Sequence, residues 1–259
     1  MLASLLVAMS ASAAITFHDV DGLRYSVNSA TKKATLVANH YQVAEVEVPA
    51  TIKVDGADYT VTALGPDCFM GCANLESVTL PNTVTKLGDN CFRGCKSLES
   101  IDLPSSLVKL GDKCFSSCKG LESVTLPNTV TKVGEWCFER CSSLESVTLS
   151  TSLTKLPMGC FADCTSLDGV VIPNSVTALG DDCFQNCVAL KNVTIGQAVT
   201  MLGEACFNGC TRLESVVLPN SVTSLGSWCF SECANLKEVT MSPKVQVGNY
   251  CFYNCPNLQ

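Results

Sequence analysis

Residues 75–96 read LESVTLPNTVTKLGDNCFRGCK. Within this stretch Val78 and Leu80 alternate with polar residues, which is the period-two pattern of a strand with one buried face. Pro81 follows immediately and cannot donate a backbone hydrogen bond to a neighbouring strand. The pattern therefore predicts a short, half-buried strand that ends at the proline.

A second apolar cluster follows within the same stretch. Residues 84–87 predict another short extended piece, which Gly88 closes. We predict a brief helical turn after it, because Cys91, Phe92 and Cys95 occupy positions i, i+1 and i+4, which share one face of such a turn. All three side chains are expected to point into the core.

The motif Cys-Phe-x-x-Cys recurs nine times and contains all 18 cysteines. Successive copies are 23 residues apart, except the last, which is 22 residues from its predecessor. Their first cysteines are Cys68, Cys91, Cys114, Cys137, Cys160, Cys183, Cys206, Cys229 and Cys251. One unit is too short to bury its own apolar residues, whereas stacked units share one continuous core. The fold class predicted is a repeat solenoid with parallel β-strands and short helical turns.

Residues 15–60 predict a small N-terminal β cap and an atypical first unit. Within it, 23–27 and 34–38 are typical of a hairpin joined by turn-forming residues. The segment 46–52, VEVPATI, mirrors 78–84, VTLPNTV, and so corresponds to one strand and its proline.

The two ends of the chain carry further expectations. Residues 1–14 form an apolar stretch that ends in small residues, which is typical of a secretory signal peptide, with an apolar first strand as the alternative. The solenoid is expected to span 61–259 in about nine units. Because the sequence stops just before its next strand, we expect a C-terminal truncation that removes a further domain, anchor or sorting signal.

The composition narrows the choice of partners. The chain carries a formal charge of -7, and 47% of its residues are hydrophobic while 16% are charged. A net negative charge without a basic cluster argues against nucleic acid and against an anionic membrane surface as partners. No window after the N-terminus approaches the roughly 20 apolar residues of a membrane-spanning helix.

The repeat unit resembles the BspA-like class of leucine-rich repeats. Residues 213–233, LESVVLPNSVTSLGSWCFSEC, follow that family's pattern of Leu-x-x-Ile-x-Ile-Pro-x-Ser-Val-Thr-x-Ile-Gly-x-x-Ala-Phe-x-x-Cys. The resemblance covers about residues 46–259 and implies a leucine-rich repeat solenoid that acts at the cell surface. One departure recurs, because each unit has Cys where the family usually has Ala before Phe.

The cysteines leave two structural interpretations open. The Cys-x-x-x-Cys spacing, with Phe inside it, differs from the Cys-x-x-Cys pairs of zinc sites, so no metal is expected. Buried thiols are favoured because free Cys is among the most buried residue types. Local bridges are the alternative, although the Cβ directions of residues i and i+4 suit a disulfide poorly. No disulfide is therefore expected.

A recurring glycine is replaced in one unit. Gly88 has counterparts in most units, but Pro157 occupies this position in the unit that ends at Cys164. Because proline fixes φ near −65°, a left-handed turn is impossible there. We predict an altered turn in this unit in which Gly159 adopts the positive φ.

The sequence offers no catalytic constellation. Its two histidines, His18 and His40, both lie in the predicted cap, and no nucleophile or phosphate-binding motif accompanies them. We therefore expect no catalytic residues, no cofactor and no enzymatic activity.

The outward strand positions form the candidate binding surface, with Val171 and Val217 interrupting a mostly Thr row. These interruptions indicate either a ligand-contacting spot or ordinary sequence drift. Trp136 and Trp228 lie in a further outward column, where they either contact a partner or pack on a neighbouring turn. The strand positions are Thr79, Asp102, Thr125, Thr148, Val171, Thr194, Val217 and Thr240.

Taken together, these features predict a non-enzymatic binding or adhesion scaffold, secreted or held at the cell surface. It would recognise protein or glycan partners over its extended repeat surface. A structural spacer that presents another domain is the alternative. The oligomeric state is left open.

Overall fold

The computed structural model describes residues 14–259, which contain twenty strands and no helix. The predicted signal peptide, 1–14, lies outside the described residues apart from its last position. In chain order the strands are β1 (Ile15–Val20), β2 (Leu23–Asn28), β3 (Lys33–Leu36), β4 (Glu45–Glu47), β5 (Thr51–Val54), β6 (Ala57–Leu64), β7 (Ser77–Thr79), β8 (Lys86–Leu87), β9 (Lys109–Leu110), β10 (Ser123–Thr125), β11 (Ser146–Thr148), β12 (Lys155–Leu156), β13 (Gly169–Val171), β14 (Ala178–Leu179), β15 (Asn192–Thr194), β16 (Met201–Leu202), β17 (Ser215–Val217), β18 (Ser224–Leu225), β19 (Glu238–Thr240) and β20 (Gln246–Val247).

The molecule is a solenoid whose units repeat two strand positions. Three-residue strands form one side, where neighbouring units pair in parallel, as in β10–β11, β13–β15 and β17–β19. Two-residue strands form a second side, with β12, β14, β16, β18 and β20 in one parallel sheet. The predicted parallel-strand solenoid is thereby confirmed.

The third side of each unit is formed by consecutive tight turns, so the prediction of a short helical turn was wrong. Two residues per unit have positive φ, such as Asn90 at 53° and Gly94 at 76°. A left-handed residue every fourth position cannot be part of a right-handed helix. The turn nevertheless directs Cys91, Phe92 and Cys95 inward, and all three are fully buried.

Backbone N–H groups on this third side alternate between two acceptors. The N–H of Asn90, Phe92 and Gly94 each donates to a carbonyl of the next unit, at 2.8 Å. The intervening N–H groups of Cys91 and Cys95 donate within their own unit, three residues back. The bonds to the next unit join adjacent units on this side without a strand.

The core is a spine of stacked phenylalanine rings. From Phe69 to Phe230 successive rings lie 5.2–5.4 Å apart and within 14° of parallel. Tyr41 extends the spine into the cap, with its ring 5.2 Å from that of Phe69. Its hydroxyl donates to the carbonyl of Val37 and accepts from the N–H of Arg24.

The cap combines a hairpin with an irregular first unit. Strands β2 and β3 are antiparallel, and Tyr25 faces Leu36 across them. Strand β4 pairs in parallel with β7, which places Val46 opposite Val78. The antiparallel pair β5–β6 is the insertion in this unit, and the cap thus joins the same ladder as the regular units.

The recurring glycines have no positive φ, so they serve close packing instead of a left-handed turn. A Cβ added to Gly111 would lie 2.5 Å from the Asp89 nitrogen and 2.6 Å from the Gly88 carbonyl carbon. Gly159 does have a φ of +59°. This is not an adjustment to Pro157, however, because every unit has a left-handed residue at that position.

Candidate functional site

The predicted binding surface lies on the side of the solenoid formed by the three-residue strands. All eight predicted positions are exposed. In the strands, the residue before each of them faces the core. Parallel pairing aligns Thr125 with Thr148 and Val217 with Thr240. The structure therefore brings these residues together as one row across the units.

Two valines interrupt this row on nearby units. Val171 is 65% exposed and Val217 is 66% exposed, and Thr194 lies in the unit between them. Beside Val217, a depression of about 340 Å³ is lined by Thr194 and Gln197 among other residues. Exposed apolar side chains on a rigid polar surface are typical of protein contact sites.

A second depression marks a gap in the strand ladder. Residues 100–102 do not form a strand, so β7 is not paired with β10. Asp102 is a poor strand former and lies in this gap. The depression has a volume of about 290 Å³ and is lined by Asp102, Ser123 and Thr125.

The two tryptophans have different surroundings on the turn side. Trp136 is half-buried because its ring lies over Gly159 of the next unit, where a Cβ would overlap the indole. Trp228 is 36% exposed, and Tyr250 of the next unit stacks on it with 4.5 Å between ring centroids. The residue of the next unit therefore accommodates each ring: Gly159 leaves space for Trp136, and Tyr250 stacks on Trp228.

The cysteines are packing groups with a defined hydrogen-bonding role. Seventeen of the eighteen are buried. The second thiol of each unit donates to the phenylalanine carbonyl of the preceding unit, as in Cys95 Sγ to Phe69 O at 3.2 Å. Tyr41 supplies the equivalent carbonyl in the cap and accepts from Cys72 at 3.2 Å. This use of the second thiol was not apparent from the sequence.

Burial also sets the reactivity of these thiols. Desolvation raises the pKa of Cys91 and Cys114 well above the usual range, and it raises that of Cys233 to about 12. A thiol that stays protonated is a poor nucleophile and a poor metal ligand. Across residues 14–259 no group of three or more His, Cys, Asp or Glu side chains could hold a metal ion.

Charged groups on the surface form few ion pairs. Lys237 Nζ lies 2.7 Å from Glu214 Oε2 and lowers the pKa of that carboxyl, but both side chains are exposed. Arg140 Nε lies 3.5 Å from carboxylate oxygens of both Glu139 and Asp163. Such exposed pairs contribute little to stability.

The parallel strands, the stacked phenylalanine rings and the regular spacing of the units along the chain define a leucine-rich repeat solenoid. The sequence matches the BspA type leucine rich repeat region in six copies, over residues 62–191 and 144–259. The chain belongs to this family. Family membership defines a repeat scaffold, and within 14–259 no helix is long and apolar enough to cross a membrane.

Two solved structures with a similar fold are leucine-rich repeat proteins. A leucine-rich repeat protein from Bacteroides ovatus is 26% identical with a TM-score of 0.72, over 93% of this chain and 69% of that one. A leucine-rich repeat protein from T. pallidum is 28% identical with a TM-score of 0.67, over 74% of this chain and 87% of that one. The sequence matches no curated protein.

Proposed function

We propose that the chain is a non-enzymatic binding scaffold, secreted or held at the cell surface, that recognises a protein partner over the row of three-residue strands. The observation that carries this proposal is the exposure of Val171 and Val217 on an otherwise Thr-rich surface. The fold does not require valine at these positions, since other units have Thr or Asp there. Burial of its methyl groups against a partner is favourable.

The rigidity of the surface supports the same function. Stacked units fix the positions of the exposed side chains, so a partner can be bound without a large loss of conformational entropy. The surface around the two valines is polar, which is the arrangement of an apolar contact region with a polar rim. Leucine-rich repeat proteins of this type are typically binding scaffolds.

Export is the part of the proposal that rests on the N-terminal sequence. Residues 1–14 have the pattern of a secretory signal, and thiols buried in the core are compatible with an oxidising compartment because reagents reach them poorly. Expression of the full chain with a C-terminal tag, followed by fractionation, tests this point. Processing near Ala13 or Ala14 and recovery outside the cytoplasm are expected, whereas an intact cytoplasmic product would contradict export.

The binding surface is tested with beads that carry the purified chain, applied to a panel of immobilised extracellular matrix proteins and to host cells. The double variant Val171→Thr with Val217→Thr restores the residue found in other units, so it should fold normally. We expect its affinity to fall by about tenfold, from the loss of roughly 1.4 kcal/mol of apolar burial.

The matched control is Val108→Thr, which removes an exposed valine from a different side of the solenoid. It should bind like the parent chain. Equal binding by the parent and the double variant would contradict the assignment of this surface. No attachment to any protein or cell in the panel would favour the spacer function instead.

A further inference from the structure

The cap contains a depression of about 170 Å³, which we call the cap pocket, between the turn end of the β1–β2 hairpin and the end of β4. Residues 1–13 join the hairpin at Ile15, at the opposite end of β1 from this turn, so both walls of the pocket are internal elements of the chain. The pocket is lined by Val20, Asp21, Leu23, Tyr25, Glu47 and Pro49.

The hydroxyl of Tyr25 is a buried polar group without a partner. The side chain is fully buried, yet among residues 14–259 its hydroxyl makes no hydrogen bond. Burial raises the pKa of this hydroxyl, and the nearby Tyr41, Cys68 and Asp21 raise it further, so it stays protonated. A buried hydroxyl without a hydrogen bond costs free energy. Because Tyr25 lines the cap pocket, a ligand in the pocket can supply the missing hydrogen bond.

Two carboxylates of the cap pocket have no cation beside them. Asp21 and Glu47 are both exposed, and neither forms an ion pair within the described part of the chain. Side chains alternate along β2, so Arg24 lies on the opposite face of the hairpin from Tyr25. Its guanidinium carbon lies 5.7 Å from the centre of the Phe17 ring. The pocket is therefore negatively charged, and the neighbouring arginine does not neutralise it.

We propose that the cap pocket receives a lysine side chain of the protein partner that binds along the row of strand positions. This inference rests on the proposed function, because the pocket lies at one end of that row. Glu47 pairs with Thr79, the first position of the row, and both residues are exposed. A partner that covers the row from Thr79 onward therefore reaches the pocket through the adjoining strand.

A lysine side chain fits the pocket in size and in chemistry. The pocket has about half the volume of the depression beside Val217, about 170 against about 340 Å³, and so suits a single side chain. The alkyl stem of lysine suits the three apolar residues of the lining. Its ammonium has three N–H donors for three acceptor groups, the Tyr25 hydroxyl and the carboxylates of Asp21 and Glu47. Arginine is a poorer match, because its guanidinium is a rigid planar fork.

Amide NMR spectra of the purified chain test the pocket without any partner. The probes are Nα-acetyl-lysine methylamide, its Nε-acetylated form and the arginine equivalent, each titrated to millimolar concentration at constant ionic strength. The reporters are the backbone amides of Gly22 and Leu23, in the turn that forms one wall of the pocket. We expect saturable shifts with the lysine probe, weaker binding of the arginine probe and no binding of the acetylated probe, which has no charge.

Three variants and one control connect this signal to the pocket. Tyr25→Phe removes only the hydroxyl, so it should weaken binding of the lysine probe by about tenfold and leave the melting temperature unchanged or higher. Asp21→Asn, which suits the left-handed backbone at this position, and Glu47→Gln should each weaken binding by about threefold. The matched control is Glu45→Gln, which removes an exposed carboxylate from the same strand outside the pocket and should bind like the parent chain.

Three results with the probes would overturn the inference. In the first, the lysine probe leaves both reporter amides unshifted. In the second, Glu45→Gln weakens binding as much as Glu47→Gln, which would indicate a general attraction of cations to an acidic surface. In the third, Tyr25→Phe binds the lysine probe as tightly as the parent chain does.

Attachment to a matrix protein separates this inference from the proposed function. The double variant Val171→Thr with Val217→Thr should lose affinity for the partner while it binds the lysine probe normally. Tyr25→Phe combined with Glu47→Gln should weaken attachment to the partner by about tenfold or more. Undiminished attachment of this second double variant would refute the lysine contact and leave the strand-surface function intact.

Discussion

Raising the pH should unfold this protein abruptly under reducing conditions. Twelve cysteines between Cys91 and Cys229 are almost completely buried, and desolvation raises the pKa of each thiol well above its usual value. In the unfolded chain these thiols return to a pKa of about 8.5. Above that pH the unfolded chain loses protons that the folded chain retains, so stability falls as the pH rises.

The magnitude follows from the number of thiols. Each one lowers the free energy of unfolding by about 0.4 kcal/mol at pH ~8.5 and by about 1.4 kcal/mol one pH unit higher. Twelve such groups remove about 5 kcal/mol at pH ~8.5 and about 17 kcal/mol at pH ~9.5. Since a folded domain is typically stable by about 5–15 kcal/mol, the transition should fall between these two pH values.

Far-UV circular dichroism between about pH 7.5 and 10.5, with a phosphine reductant, measures this transition and the number of protons released. The control combines Cys114→Ala, Cys137→Ala, Cys160→Ala and Cys183→Ala, which introduces the family's usual residue. It should release about four fewer protons and unfold at higher pH relative to its own stability at neutral pH. A free energy of unfolding that is constant across this range, or an unchanged proton count in the control, would refute the reasoning.

Three further predictions concern the core. Phe138→Ala should lower the free energy of unfolding by about 3–5 kcal/mol in urea denaturation, because it opens a cavity in the stack of phenylalanine rings. Phe252 is only half-buried, so Phe252→Ala should lower the free energy of unfolding much less. Equal losses at the two positions would contradict nearest-neighbour stacking. Cys164→Ser should lower the free energy of unfolding by less than about 1 kcal/mol, because the hydroxyl can donate to the same carbonyl as the thiol. Cys160→Ser buries a hydroxyl without that acceptor and should lower the free energy of unfolding by about 1–3 kcal/mol. The reverse order would exclude the hydrogen bond of Cys164. A thiol reagent should modify Cys255 first in the native protein and count about 18 thiols in denaturant without reductant; a count near zero would establish disulfides instead.

The sequence was sufficient to predict the solenoid and its register. A Cys-Phe-x-x-Cys motif at a constant spacing can bury its Phe only by stacking on the next copy, so the spacing itself defines the ladder. The alternation around Val78 correctly predicts a strand, and that strand pairs with 45–47 in the register expected from the match of Val46 to Val78. The exposed row of strand positions follows from the same alternation.

Other features depend on contacts that a single unit does not reveal. Tyr41 takes the place of a phenylalanine in the cap, although it lies outside the 23-residue spacing and has no flanking cysteines. The contact between Trp228 and Tyr253 was not apparent from the sequence, because the two residues belong to different units and lie 25 positions apart. The sequence places Trp228 and Tyr253 in separate columns, but the distance between columns is set by the turn geometry.

The turn side shows most clearly why the sequence of a single unit is insufficient to predict its backbone conformation. Eighteen positions on this side, two in each of nine units, have positive φ, and only four of them are glycine. A left-handed backbone costs about 1–2 kcal/mol at a non-glycine residue, so an isolated unit would prefer the helical turn that i, i+4 spacing predicts. In the stack, however, the left-handed residues direct their N–H groups to the next unit, as Asn90 does to Asp112 and Trp136 to Met158. A helical turn would direct those N–H groups along its own axis, so the hydrogen bonds that join adjacent units would be lost. The conformation is therefore favourable only when units are stacked, and it is selected by the repeat as a whole.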